Sequence, residues 1–189
     1  MRSNALDAAG LTRALVAVAL VVAVIGSLGA PLITSVALGF RVSLDAAQWT
    51  LTVTLFTGAI AGPLLARLGS GSHRRQTILV TLALVALGGV LTTFPFPFVV
   101  LLVGRALQGL GLGVIALLMG VARSTLPANR SGSTIAALSV ASTVGIGVGY
   151  PLVGLVDQLA GLRAAYAIGL VLSVAALVVA TCADKMLTW

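Results

Sequence analysis

Arg105 and Gln108 stand three residues apart in an apolar run, and no other stretch of the chain sets a charged group so deep. A guanidinium and a primary amide at i and i+3 project from one face of a helix. Such a pair can orient or bind a polar group, but alone it cannot do acid–base or nucleophilic work. Partners for such work are scarce. The chain holds four acids (Asp7, Asp45, Asp157, Asp184), no Glu, one histidine (His73) and one cysteine (Cys182) among 189 residues. A lone cysteine excludes an intrachain disulfide and a CxxC site. One histidine and well-separated acids leave no metal-ligand set and no carboxylate pair. No catalytic residue, cofactor or metal site is therefore expected, and the chain does not read as an enzyme.

The elements that must position the pair follow from composition. Hydrophobic residues make up 59% of the chain and charged residues 8%, against about a quarter charged in an ordinary soluble domain. Charges punctuate the sequence at membrane-sized intervals. A helix needs roughly 20 apolar residues to cross the hydrocarbon core, which gives spans at about 14–39, 48–66, 77–93, 99–122, 133–156 and 164–183. The uncharged stretch between Gln76 and Gly104 is divided by Phe94-Pro95-Phe96-Pro97-Phe98, where two prolines end a helix and aromatics favour the interface. The expected fold is an all-α membrane protein, a six-transmembrane-helix bundle. A signal peptide is disfavoured, since the first apolar run is too long and five more follow.

The net charge is +7. The basic residues lie singly or in pairs between apolar runs, not as a basic face with interleaved aromatics, so no nucleic acid is expected as a partner. With the N-terminus inside, the cytoplasmic side collects Arg2, Arg13, Arg67, Arg74, Arg75, Arg123, Arg130 and Lys185, while Arg41 and Arg163 lie outside. The positive-inside rule thus predicts a cytoplasmic N-terminus (1–13) and a cytoplasmic tail (184–189). Heavy use of Arg, Ala, Gly and Val points to a GC-rich bacterium, and so to its inner membrane.

Within the spans, small residues recur at helical spacing: Gly58 and Gly62, Gly109 and Gly113, then Ala141, Gly145 and Gly149. Rows of this kind let helices approach closely in lipid. Arg105 lies about six residues into its span, roughly 9 Å along the axis. At a helix centre an arginine costs about 2.5–3.5 kcal/mol on insertion scales, so it should face a bundle interior or wet cavity, with Gln108 extending the polar stripe. Snorkelling to the outer headgroups is the plain alternative. Pro31, following Gly26 and Gly29 and flanked by Ser27, Thr34 and Ser35, should kink span 1, and Pro151 should bend span 5.

These residues resemble the Major Facilitator Superfamily, specifically its N-terminal six-helix half. Arg105-Ala106-Leu107-Gln108-Gly109-Leu110-Gly111 is similar to the family's R-x-x-Q-G-x-G signature in span 4. Gly62-Pro63-Leu64-Leu65-Ala66-Arg67-Leu68-Gly69, followed by Arg74-Arg75, resembles the loop signature between spans 2 and 3. Gly149-Tyr150-Pro151-Leu152-Val153-Gly154 resembles the span 5 antiporter signature. Trp49 and Arg130 are similar to residues of the drug:proton antiporter group with fourteen spans. The likeness runs over residues 14–183. It departs at Ala66, which stands for the loop's acid, at the inserted Ser70-Gly71-Ser72-His73, at Tyr150, and in span 1, which lacks the antiporter group's acid.

The resemblance implies efflux of amphipathic or hydrophobic compounds by alternating access, proton coupling being the habit of the group. It implies a substrate or proton pathway at Arg105, Gln108, Pro31 and Thr34. It also implies a cytoplasmic loop signature at Gly62, Arg67, Gly69, Arg74 and Arg75, and a span 5 signature at Gly145, Gly149, Pro151 and Gly154. The expected partners are the lipid bilayer, a small-molecule substrate and a second six-helix bundle, either a second copy or a separate chain. The alternative expectation is a truncated or half-size membrane protein without transport of its own, acting as a binding or assembly partner. An importer of a polar nutrient is disfavoured, because few polar side chains line the spans.

Overall fold

In lipid a backbone must satisfy its own amides and carbonyls, and a chain this apolar does so as helices. The computed structural model describes residues 2–69 and 73–187, with side chains at 10–69, 73–128 and 130–182. Over those residues it consists of α1 (Arg2–Ser27), α2 (Ile33–Phe40), α3 (Leu44–Leu68), α4 (Arg74–Thr93), α5 (Phe98–Thr125), α6 (Ala128–Ala160) and α7 (Leu162–Leu187), with no strand among them. Six of the helices are long and apolar enough to cross a membrane. The Ser70–Ser72 insertion, the side chains of Arg2 and Lys185, and the last two residues of the tail lie outside the described residues.

The first span is two helices. The α-helix stops at Ser27, residues 28–32 run as turns, and α2 restarts at Ile33. Pro31 has no amide hydrogen to give the carbonyl four residues earlier, and Gly29 precedes it. The chain recovers through Leu28 N–H to Ile25 O (3.3 Å) and Val36 N–H to Leu32 O (2.8 Å). By contrast α6 runs unbroken through Pro151, and α3 through Pro63.

The other ends have local causes. Arg41, at φ 54°, closes α2 in the left-handed region, and the following amide of Val42 bonds Ala37 O at 3.1 Å. Ser43 caps α3, its Oγ accepting from Ala46 N–H at 3.1 Å, with Asp45 in the first turn and Arg67 in the last suiting the helix dipole. Pro97 and Pro127 precede α5 and α6, where their missing amide hydrogens cost nothing. The Phe94–Pro97 segment joins α4 to α5, as the two prolines require.

α5 is the central element, packed on both α3 and α4. It gets close by glycine. A Cβ at Gly109 would lie 2.3 Å from Thr54 O of α3, and one at Gly104 would lie 2.9 Å from Gly88 O of α4. α1 packs on α6 and α7, and α7 on α4. Leucine, valine and alanine side chains fill the interior in two clusters. One, around Leu82, Leu118 and Leu138, lies toward the chain's N-terminal end of the bundle. The other, around Leu28, Leu32, Val36 and Tyr166, encloses the α1–α2 break.

Candidate functional site

The Arg105 side chain is fully buried, and Gln108 is 1% exposed. Both lie on the face of α5 turned into the bundle, so the pair does not stand on an open surface. Arg105 Nη1 donates to Gln108 Oε1 at 2.7 Å. Gln108 Nε2 passes the chain on to Thr92 Oγ1 of α4 at 3.3 Å, and Thr92 donates to Gly89 O at 3.0 Å. On the other flank, Arg105 Nε points to Thr50 O of α3 at 3.4 Å. Thr54 Oγ1 lies 2.7 Å from Thr50 O and 3.1 Å from Arg105 O. The cluster thus ties α3, α5 and α4 through polar atoms in an otherwise apolar interior. Hydrogen bonds to a charged group contribute about 1.5–3 kcal/mol each, enough to offset the insertion cost of the arginine.

The third flank is the break in the first span. A Cβ at Gly29 would lie 2.8 Å from Arg105 Nη2, so the guanidinium rests against backbone where the helix is interrupted. Among the described residues Nη2 itself has no hydrogen-bond partner, nor does the buried hydroxyl of Tyr166 on α7. Tyr166 lies within electrostatic range of both Arg105 and Asp157. No carboxylate pairs with Arg105 among the described residues. Asp157 of α6 instead accepts from Ser35 of α2, pinning the end of the fifth span to the second half of the first. Above the cluster a cavity of about 740 Å³ opens at the Phe94 end of the bundle, with Thr92 and Tyr166 deep in it and Phe40, Phe96, Phe98 and Arg163 around it.

The other residues singled out from sequence fall in three places. Pro31 is half-buried in the break, 3.6 Å from where a Cβ on Gly154 of α6 would sit. Thr34 is exposed one turn on. In the span 5 signature, Gly145 and Gly149 face α1, where a Cβ would come 2.6 Å from Leu20 O and 2.3 Å from Ser27 Oγ respectively, while Pro151 is exposed on the far side. In the loop signature, Gly69 ends α3, and a Cβ there would strike Leu117 of α5 at 2.1 Å. Arg74, at the start of α4, bonds back to the end of α3, Nε donating to Gly69 O at 3.2 Å. Arg67 and Arg75 are exposed, and Gly62 borders open space.

Sequence reasoning missed Thr50, Thr54 and Thr92. Their signal was present: Thr50 and Thr54 are spaced i, i+4 on one face of a span, and Thr92 lies one turn inside the proline-bearing end. Tyr166 was missed because one aromatic near a helix start reads as an interface anchor.

The family model of the Major Facilitator Superfamily matches residues 9–184. No curated protein matches the chain. A continuous match over all six spans, on a bundle whose fourth span, α5, carries the buried Arg105–Gln108 pair, establishes that the chain belongs to the Major Facilitator Superfamily, whose members carry small molecules across membranes.

Proposed function

We propose that this bundle is one moving half of a drug-type exporter, working with a second six-helix bundle and passing amphipathic or hydrophobic compounds outward from the cytoplasm. The observation that carries the reading is the Arg105–Gln108–Thr92 cluster lodged against the interrupted first span. A helix without its regular hydrogen bonds over residues 28–32 is a ready hinge. The cluster ties α3, α4 and α5 into one body against that hinge. Rocking of such a body against a partner bundle alternates access to a midplane site. The apolar character of the spans suits a substrate that needs few hydrogen bonds in exchange for its hydration. Termini on the cytoplasmic side of a bacterial inner membrane fit the distribution of arginines.

A second reading, an assembly partner without transport of its own, is favoured by one observation. The spans hold no acid between Asp45 and Asp157, so a carboxylate proton carrier at the bilayer centre would have to come from elsewhere. Crosslinking in native membranes separates the two, because a strictly monomeric chain cannot enclose a two-bundle pathway.

The direct experiment is ethidium efflux from vesicles carrying the chain with its partner bundle. Arg105→Lys should lower the rate about tenfold or more, since an ammonium cannot serve Thr50 O and Gln108 Oε1 together as the planar guanidinium does. Unchanged efflux at normal expression removes Arg105 from the mechanism.

A further inference from the structure

Two buried polar atoms stand outside the network that ties the bundle together. Among the described residues neither Arg105 Nη2 nor the Tyr166 hydroxyl has a hydrogen-bond partner, although Arg105 is fully buried and Tyr166 is 1% exposed. The two groups lie within electrostatic range of each other. A buried donor left unpaired is costly, and more so when it carries charge. The remaining bonds of the guanidinium run to Thr50 O and Gln108 Oε1, both uncharged. Asp157 is engaged by Ser35. Arg105 therefore keeps one free edge and a positive charge that these partners do not neutralise.

Both atoms sit behind the wall of the cavity at the Phe94 end. Tyr166 and Thr92 belong to that wall, and Thr92 accepts from Gln108, which in turn holds Arg105. Thr92 and Thr93 both donate to Gly89 O, at 3.0 and 2.8 Å. The one hydroxyl hydrogen the wall has left to give is that of Tyr166. Arg163 is the only charged residue lining the chamber, and no carboxylate does. The remaining walls are largely aromatic: the Phe40 and Phe98 rings meet at 5.8 Å, those of Phe94 and Phe96 at 6.4 Å. A volume of about 740 Å³ lies in the roughly 300–1,000 Å³ range of small-molecule sites, far more than a lone inorganic ion fills. Rings suit an apolar body, and a floor backed by two unspent donors and no acid suits an anionic head.

We infer that this chamber binds a free amphipathic organic acid, its apolar body among the phenylalanine rings and its carboxylate at the Tyr166 hydroxyl, facing the Arg105 guanidinium. The hydroxyl is covered as the chamber stands, so the Tyr166 ring turns to present it. The chamber belongs to this one bundle, whereas the exporter reading uses a midplane site shared with a second, so neither stands or falls with the other. The test is equilibrium dialysis of the full chain in phosphatidylcholine nanodiscs against matched empty discs. Its probes share one shape and differ in charge: 2-naphthoate, 2-naphthylmethanol and 2-naphthylmethylammonium. The wild-type chain should bind the acid about tenfold more tightly than the alcohol, and the ammonium most weakly. Tyr166→Phe removes a hydroxyl that holds nothing in the fold. It should weaken the acid about fivefold while the alcohol changes by less than about twofold. Arg163→Gln, at an exposed position, should leave the preference for the acid within about twofold, because the deep donors carry it. A minor share of phosphatidylglycerol in the disc should leave the acid bound. Equal binding of acid and alcohol by the wild-type chain overturns the inference. Acid binding untouched by Tyr166→Phe in a folded chain, loss of the preference in Arg163→Gln, or displacement by phosphatidylglycerol overturns it as well.

Discussion

The first and fifth spans lie against each other, each carries one proline preceded by glycines, and they fold differently. Around Pro31 the helix is interrupted over residues 28–32, while around Pro151 it continues without a break. Proline removes one backbone hydrogen bond in either case. A full break strands several more polar groups, which lipid cannot satisfy. The first span breaks beside polar groups: the guanidinium of Arg105 rests against Gly29, and Ser35 beyond the break holds Asp157. Pro151 faces outward, away from any such group, and there the helix keeps its remaining bonds. The glycines differ too. Gly145 and Gly149 of α6 are spent on close approach to α1, not on flexibility.

Four substitutions sharpen or break this contrast. The largest effect belongs to the seam itself. Gly149→Leu would drive a side chain into Ser27 and Val24, whereas Gly147 has nothing within 4 Å of a Cβ. The first should destabilise the bundle by about 3 kcal/mol and the second by less than about 0.5 kcal/mol, read as loss of helicity on titrating a mild detergent with a denaturing one. Equal effects would mean that the glycine row does not carry the contact.

Next comes Gln108→Leu. It leaves Arg105 Nη1 without its acceptor beside the break and should cost about 2 kcal/mol by the same titration. Hydrogen exchange over residues 28–32 should quicken with it; if exchange there is unaltered, the break does not depend on the polar cluster. The smallest effect should be that of Pro151→Ala. Restoring one amide hydrogen in an already continuous helix changes stability by less than about 0.5 kcal/mol, and a larger change would show that the proline shapes α6 in a way the seam needs.

Much of the architecture was legible in the residues. Six apolar runs bounded by arginines and aspartates, with Phe94–Phe98 splitting the longest, lead to the bundle because the cost of charge in lipid leaves few places for a turn. The buried pair was legible as a pair, since an arginine that deep needs shelter. Its surroundings were not. Hydropathy is blind to whether an apolar run is one helix or two, so the first span read as bent where it is broken. Threonines bonded to their own helix pass for apolar in composition, so the one-face spacing of Thr50 and Thr54 and the placing of Thr92 were too weak a signal to show that they carry the network across three helices. Which glycines touch a neighbour was also out of reach, because Gly145 and Gly147 differ only in the direction they face.

The tethering of Arg105 bears on how the bundle responds to voltage. The residue stands seven positions from the start of α5, roughly 10 Å along a helix of about 40 Å. A unit charge carried across the whole membrane couples to the potential by about 2.3 kcal/mol per 100 mV. Bonded to α3 on one side and to its own helix on the other, this charge travels only as far as the bundle tilts. A displacement of about 3 Å, a tenth of the hydrocarbon thickness, couples by about 0.2 kcal/mol per 100 mV, below thermal energy. The cation that organises the interior is therefore electrically quiet, and a tilt of this size would couple only weakly to the field across the membrane.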